Sequence, residues 1–276
     1  MLDLIVNADD FGINDKVNEE ILRSFRYGIL RSASIMANGN SFMEAVNIAK
    51  DYKLDIGIHI ALVNGKSLND PFRISSLIDK QDKFYDNSKK FLVKYFLGKI
   101  LLEDVKKEVS LQMERVMDYR LKITHIDSHQ HLHLLPNILE IIKDFAKKYS
   151  IKFIRYPREK FTSYFLKSCN YQRLGELAAI NLACSYIRGK IPHTTDHFVG
   201  FFYGGQLNKH NLSELIKNLP AEGTCELMCH PGLSEADRFS RNNYRKCEES
   251  ESLIDNEIIK MIKVRHINIT SYKDLL

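Results

Sequence analysis

The stretch Lys122–Lys148, KITHIDSHQHLHLLPNILEIIKDFAKK, decides how this chain is read. Lys122–Asp127 reads as a short strand, and Pro136–Lys148 reads as a helix with proline in its first turn, where a missing N–H costs nothing. Between them lie His125, Asp127, His129, His131 and His133. A strand, a polar cluster and then a helix make one βα unit, with its chemistry at the carboxyl end of the strand. Read as extended chain through residue 133, the odd positions share one face.

The same unit recurs along the chain. Strands are expected at Leu4–Asn7, Ser32–Met36, Asp55–Leu62, Lys152–Arg155, Thr224–Cys229 and Ile267–Thr270. Helices are expected at Asn14–Tyr27, Ser41–Tyr52, Glu103–Tyr119 and Ser252–Val264, each with apolar residues at helical spacing. Alternation of this kind predicts a parallel sheet with crossover helices. The fold class expected is α/β, a single-domain distorted (β/α) TIM-like barrel with seven or eight parallel strands. The length, 276 residues, suits it, since such barrels use about 250. Two stretches break the alternation and read as insertions: a lysine-rich one at 64–100, and one at 158–205 holding a helical section, 163–188, and the aromatic run HTTDHFVGFFYGG. Insertions after strands carry binding loops, lids or plain surface.

Composition is that of a globular chain: 44% apolar, 27% charged, net charge +5. A small excess spread along the chain does not call for a nucleic-acid partner. The opening MLDLIVNADD lacks a basic segment, and no apolar run is long enough to span a bilayer, so neither a signal peptide nor a membrane is expected. Cysteines stand at 169, 184, 225, 229 and 247, an odd and irregular set that fits reduced thiols in the cytoplasm. Cys225 and Cys229 on one strand lie about 13 Å apart, too far to share a metal.

In a parallel barrel the carboxyl ends of all strands open on one face. That topology gathers Asp9 and Asp10, His59, the histidine cluster, Arg155 and His230 at one mouth. Adjacent aspartates at a strand end point different ways, so one can bind a metal while the other faces a reacting group; the alternative is a capping pair before the first helix. Neutral imidazole is a common ligand for divalent metals, and spare histidines can orient ligands through the second ring nitrogen. His59 alone reads equally as structural and gains interest because a catalytic site needs a third ligand. His230, ending its strand before Pro231, is a candidate general acid or base. Phe198, Phe201, Phe202 and Tyr203 are candidates for stacking on sugar faces or for packing.

These residues resemble one known family. Val6-Asn-Ala-Asp-Asp-Phe-Gly12, Gly57-Ile-His59, Thr124-His-Ile-Asp-Ser-His-Gln-His-Leu-His133 and Cys229-His-Pro231 are similar, in order and approximate spacing, to the signatures of YdjC-like carbohydrate deacetylases, which include chitooligosaccharide deacetylases. The resemblance implies one divalent metal ion, Mg2+ or Zn2+, on Asp10, His59 and His129. It implies Asp9 as base and His230 as acid, with Arg155 holding substrate or orienting Asp9. It also implies a small carbohydrate substrate and a homodimer. Gln130 stands where some members carry another histidine. Two other readings stay open: a metal-dependent phosphoester or cyclic-amide hydrolase using the His131-Leu-His133 pair, and a non-catalytic sugar-binding protein.

Overall fold

The computed structural model describes residues 1–167, 170–232 and 246–276. Strands β1 (Leu2–Phe11), β2 (Ser32–Ile35), β3 (Asp55–Ile60), β4 (Ile123–Ser128), β5 (Phe153–Ile154), β6 (His197–Val199), β7 (Gly223–Cys229) and β8 (Asn268–Thr270) form one sheet. Its order is β5-β4-β3-β2-β1-β7-β6, with β8 also on β1. Every strand pairing in it is parallel. Between β5 and the chain before β6, Ile154 N donates to His193 O at 3.1 Å. The fold is a single α/β domain, a distorted TIM-like barrel.

Helices α1 (Asp15–Tyr27), α2 (Phe42–Tyr52), α3 (Ser88–Phe96), α4 (Leu102–Met117) and α5 (Pro136–Lys148) occupy the first half. The second half carries α6 (Ser163–Lys167), α7 (Tyr171–Tyr186), α8 (Lys209–Lys217), α9 (Lys246–Leu253) and α10 (Asn256–Val264). Asn14 caps α1, its side chain accepting from Val17 N. The core lies between the strands and this helical layer, with Leu4, Val6, Ile35, Ile58 and Ile126 fully buried.

The differences from the sequence reading have local causes. The single helix expected over Ser252–Val264 is two, because the Asp255 side chain accepts from Glu257 N and Ile258 N and starts α10 afresh. The 163–188 section is likewise divided between α6 and α7. The aromatic run contains a strand, β6. The extended reading of residues 129–133 is overturned: β4 ends at Ser128, and His129–Leu134 is a 3-10 turn with Gln130 and His131 at φ 54° and 55°. Those left-handed residues fold the histidines apart instead of ranking them on one face. Cys225 and Cys229 are buried on β7, Cys184 is buried and Cys247 exposed, while Cys169 lies outside the described residues. No helix among the described residues is long and apolar enough to cross a membrane.

Candidate metal and acid–base site

Strand β1 carries the acidic pair on a bulge. Its register against β2 shifts between Ala8 and Phe11, and Asp10 has φ 65°. A non-glycine residue held in the left-handed region is strained and persists where its surroundings over-determine it. The shift turns the two carboxylates apart. Asp9 meets Arg155, whose Nη1 and Nη2 donate to its two oxygens at 2.8 and 2.7 Å. Asp10 Oδ1 lies 3.0 Å from His129 Nδ1 and 3.5 Å from His59 Nε2.

Asp10, His59 and His129 each offer an atom within 4.8 Å of the other two. Ligands at zinc-like bond lengths sit about 3.3 Å from one another, close to these separations. His59 Nε2 is buried with no hydrogen-bond partner, while Nδ1 sits 2.7 Å from Asp127 Oδ1. A carboxylate behind an imidazole whose other nitrogen faces an acidic neighbour is the arrangement that orients metal-binding histidines. His129 Nε2 contacts the Asn64 amide at 3.0 Å, leaving Nδ1 toward Asp10. The residues therefore fit a divalent cation. A second triplet, Asp9, His59 and Asp127, is as compact, but Arg155 already neutralises both of its carboxylates.

Arg155 is fully buried and serves three carboxylates: Asp9, Asp127 at 2.7 Å and Glu226, to which Nε donates at 2.8 Å. Burial alone would lower its pKa, but Asp127, Asp9 and Glu226 raise it well above the ordinary value. The Arg155 guanidinium is thus enclosed by three carboxylates, with Asp9 held through both of its oxygens. Burial would lower the pKa of His59, yet the charges of Asp127, Asp9 and Asp10 and the hydrogen bond to Asp127 raise it to about 9. Burial would raise Asp127, but Arg155 and His59 hold it well below the usual carboxylate range.

His230 follows β7 and is half-buried, its Nε2 3.8 Å from Asp9 Oδ2. Its backbone N–H donates to Glu249 Oε2 at 2.5 Å. All six expected site residues thus converge at one end of the sheet. The remaining histidines divide by place. His125 lies beneath the site, 3.1 Å from Asn7 Oδ1 and from Ser34 Oγ, with its ring 4.1 Å from Tyr272. His133 ties two strand ends together, with Nδ1 2.6 Å from Ser128 Oγ and Nε2 3.0 Å from Arg155 O; burial lowers its pKa to about 4. His131 packs on Phe201 at 5.5 Å and Phe198 at 6.4 Å. Phe198, Phe201, Phe202 and Tyr203 are all buried. Phe202 stacks on Phe165 at 4.2 Å, so these rings pack against protein and do not present open faces to a sugar.

Glu226, Asn64 and Glu249 were missed from sequence. Glu226 sits mid-strand on β7, and a lone acid between apolar neighbours in a buried strand was the available signal. Asn64 and Glu249 carried none, since no motif or periodicity links either to a strand end.

The family described as YdjC-like protein matches residues 3–264. The chain belongs to the YdjC-like family. A carbohydrate deacetylase of Geobacillus stearothermophilus is 30% identical, the match covering 98% of this chain and 96% of the relative. A chitooligosaccharide deacetylase of Yersinia enterocolitica is 28% identical over 98% of each. Among solved structures, a putative cellobiose-phosphate cleavage protein of Enterococcus faecalis superposes with a TM-score of 0.75 at 25% identity, covering 99% of this YdjC-like chain and 98% of that one.

Proposed function

We propose that this YdjC-like protein is a metal-dependent carbohydrate deacetylase that hydrolyses the N-acetyl group of an amino sugar of chitooligosaccharide type, releasing acetate. The single observation that carries the reading is the divergence of Asp9 and Asp10. One faces two imidazoles, and the other is clamped by Arg155 within reach of His230. Curated relatives named carbohydrate and chitooligosaccharide deacetylase support it.

Asp10, His59 and His129 hold one divalent ion, Mg2+ or Zn2+. When bound, such an ion polarises an amide carbonyl and acidifies water toward neutrality. Asp9, with both oxygens fixed by Arg155, takes the proton of the attacking water. His230 gives a proton to the amine nitrogen as the C–N bond breaks, so the products are acetate and a free amino sugar. Arg155 acts through Asp9 by holding its orientation. Asp127 acts through His59 by fixing its tautomer. Residues 64–100 and 158–205 are insertions that shape substrate choice, and Asn64 ties the first of them to His129.

A second reading, cleavage of a phosphorylated disaccharide, rests on the name of the Enterococcus faecalis structure. Incubation with N-acetylated chitooligosaccharides and with cellobiose phosphate, read for acetate, free amine, glucose and phosphate, separates the two. Acetate and free amine in equal amounts are expected. Sugar or phosphate release without acetate overturns the deacetylase reading.

A further inference from the structure

The insertion between β3 and α4 exposes apolar side chains that a soluble surface does not need. Phe72 is 92% exposed, Phe96 75%, Leu97 63%, Val93 60% and Leu101 56%. Exposed apolar residues scattered singly need no account, but a cluster marks an interaction surface. Val93, Phe96 and Leu97 lie within one helical turn around the end of α3, and Leu101 follows four residues on.

Lysines are interleaved with them. Lys89, Val93 and Phe96 fall at i, i+4 and i+7, one face of the helix, with Lys90, Lys94 and Leu97 beside it. Residues 64–100 hold eight Lys and Arg against four Asp, a net +4 in a chain whose whole net charge is +5, so the excess that composition suggested was spread along the chain is concentrated in this insertion. A groove of about 690 Å3 runs under this face, with Ile78, Tyr85 and Val93 as its apolar wall and Lys80, Lys89, Lys90 and Lys94 around it against a single acid, Asp79. Lys94 Nζ sits 4.7 Å above the Tyr85 ring.

The face borders the mouth. Ser88 N, at the start of α3, donates to Gln130 Oε1 at 2.7 Å. Tyr85 O accepts from Asn64 N at 3.0 Å, and Asn64 contacts His129.

We propose that this face docks on an anionic lipid surface, apolar side chains at the acyl boundary and lysines on headgroup phosphates, with the mouth of the barrel turned to sugars carried there. Apolar anchors mixed with lysines on one face are what an interfacial helix needs, and anionic lipid is the charge complement of a lysine-rich face on a segment of net +4. A second copy of this chain is the competing occupant. A two-fold contact sets a patch against itself, which opposes lysine with lysine. The lack of a spanning helix, the ground for expecting no membrane partner, does not bear on docking at a surface.

The test is partition of the full chain onto phosphatidylglycerol–phosphatidylcholine vesicles and onto phosphatidylcholine vesicles alone, by co-sedimentation. The expected result is binding to the anionic vesicles, weakened by salt and reduced about tenfold or more in Phe96→Ser/Leu97→Ser and, separately, in Lys89→Glu/Lys94→Glu. Phe96, Leu97 and Lys89 are exposed and Lys94 is half-buried over the Tyr85 ring, so circular dichroism and melting temperature are read on both variants, and Lys89→Glu/Lys90→Glu, at two exposed positions, takes the place of the second should Lys94→Glu lower the melting temperature. Because the readout is partition, it stands apart from the deacetylase reading. Absence of wild-type binding, equal binding to neutral vesicles, or binding unchanged in both variants overturns the proposal. Conversion of a dimer to a monomer by Phe96→Ser/Leu97→Ser without any vesicle binding assigns the face to a second copy.

Discussion

At the scale of single residues, the site is built on unequal treatment of two adjacent carboxylates. Asp9→Asn keeps the shape of the side chain and leaves Asp10, His59 and His129 in place, so metal should be retained while turnover falls by on the order of 10² to 10⁴. Metal content and acetate release on the same preparation check this; near-wild-type turnover would remove Asp9 as the base. His59 sets the pH dependence. Its pKa, raised to about 9 in the metal-free protein, means the imidazole is protonated at neutral pH until a metal displaces the proton. Metal requires the neutral ring, so apparent affinity should rise with pH by up to about tenfold per unit and level off above pH ~9. Calorimetric titration across pH 6 to 10, in buffers of differing ionisation heat, reads both the affinity and the released proton. Affinity that falls as pH rises contradicts the assignment.

Arg155 is the other residue whose loss has a definite sign. Arg155→Ala leaves Asp9, Asp127 and Glu226 buried without their common partner, and breaking a buried pair in this way costs about 3–5 kcal/mol. A urea midpoint close to wild type would show that these carboxylates find water or protonate at little expense. This residue also shows where sequence reasoning stops. Its place at the mouth follows from the strand pattern, but its partners do not. Nothing in the sequence says that Asp9, Asp127 and Glu226 all stand around this one arginine.

At the scale of elements, most strands were legible because apolar runs ending in Gly, Pro or charged residues leave few alternatives. The His129–Leu134 turn was not, because period-two spacing of histidines looks the same whether the backbone stays extended or folds at two left-handed residues. The break at Asp255 was hidden by continuous helical spacing on either side of it. Gly57 shows a tighter constraint. A Cβ there would lie 2.2 Å from His125 Nε2, and the His125 ring is held by Asn7, Ser34, Thr124 and Tyr272. With no room to yield, Gly57→Ala should destabilise by about 1–3 kcal/mol or more. Chemical unfolding monitored by circular dichroism measures it, and an unchanged midpoint would mean that β3 and β4 can separate there.

At the scale of the whole molecule, the barrel brings residues from β1, β3, β4, β5 and β7 to one end, so sequence separation says little about distance. That convergence could be read from order alone: each acid, imidazole or guanidinium lies near the end of a strand or just after it, and parallel strands share a carboxyl-end face. What could not be read is which residues from outside the strands meet it, since no periodicity places Asn64 of the first insertion at His129 or Glu249 of α9 at His230. The central claim is that one divalent ion on Asp10, His59 and His129 is required for release of acetate. The most direct test titrates chelator-stripped protein with Zn2+ or Mg2+ while acetate released from an N-acetylated chitooligosaccharide is measured. No release is expected from stripped protein, and recovery should saturate at one equivalent of a tightly binding ion, with no recovery in His129→Ala. Full acetate release by stripped protein, or recovery in His129→Ala equal to wild type, would contradict it.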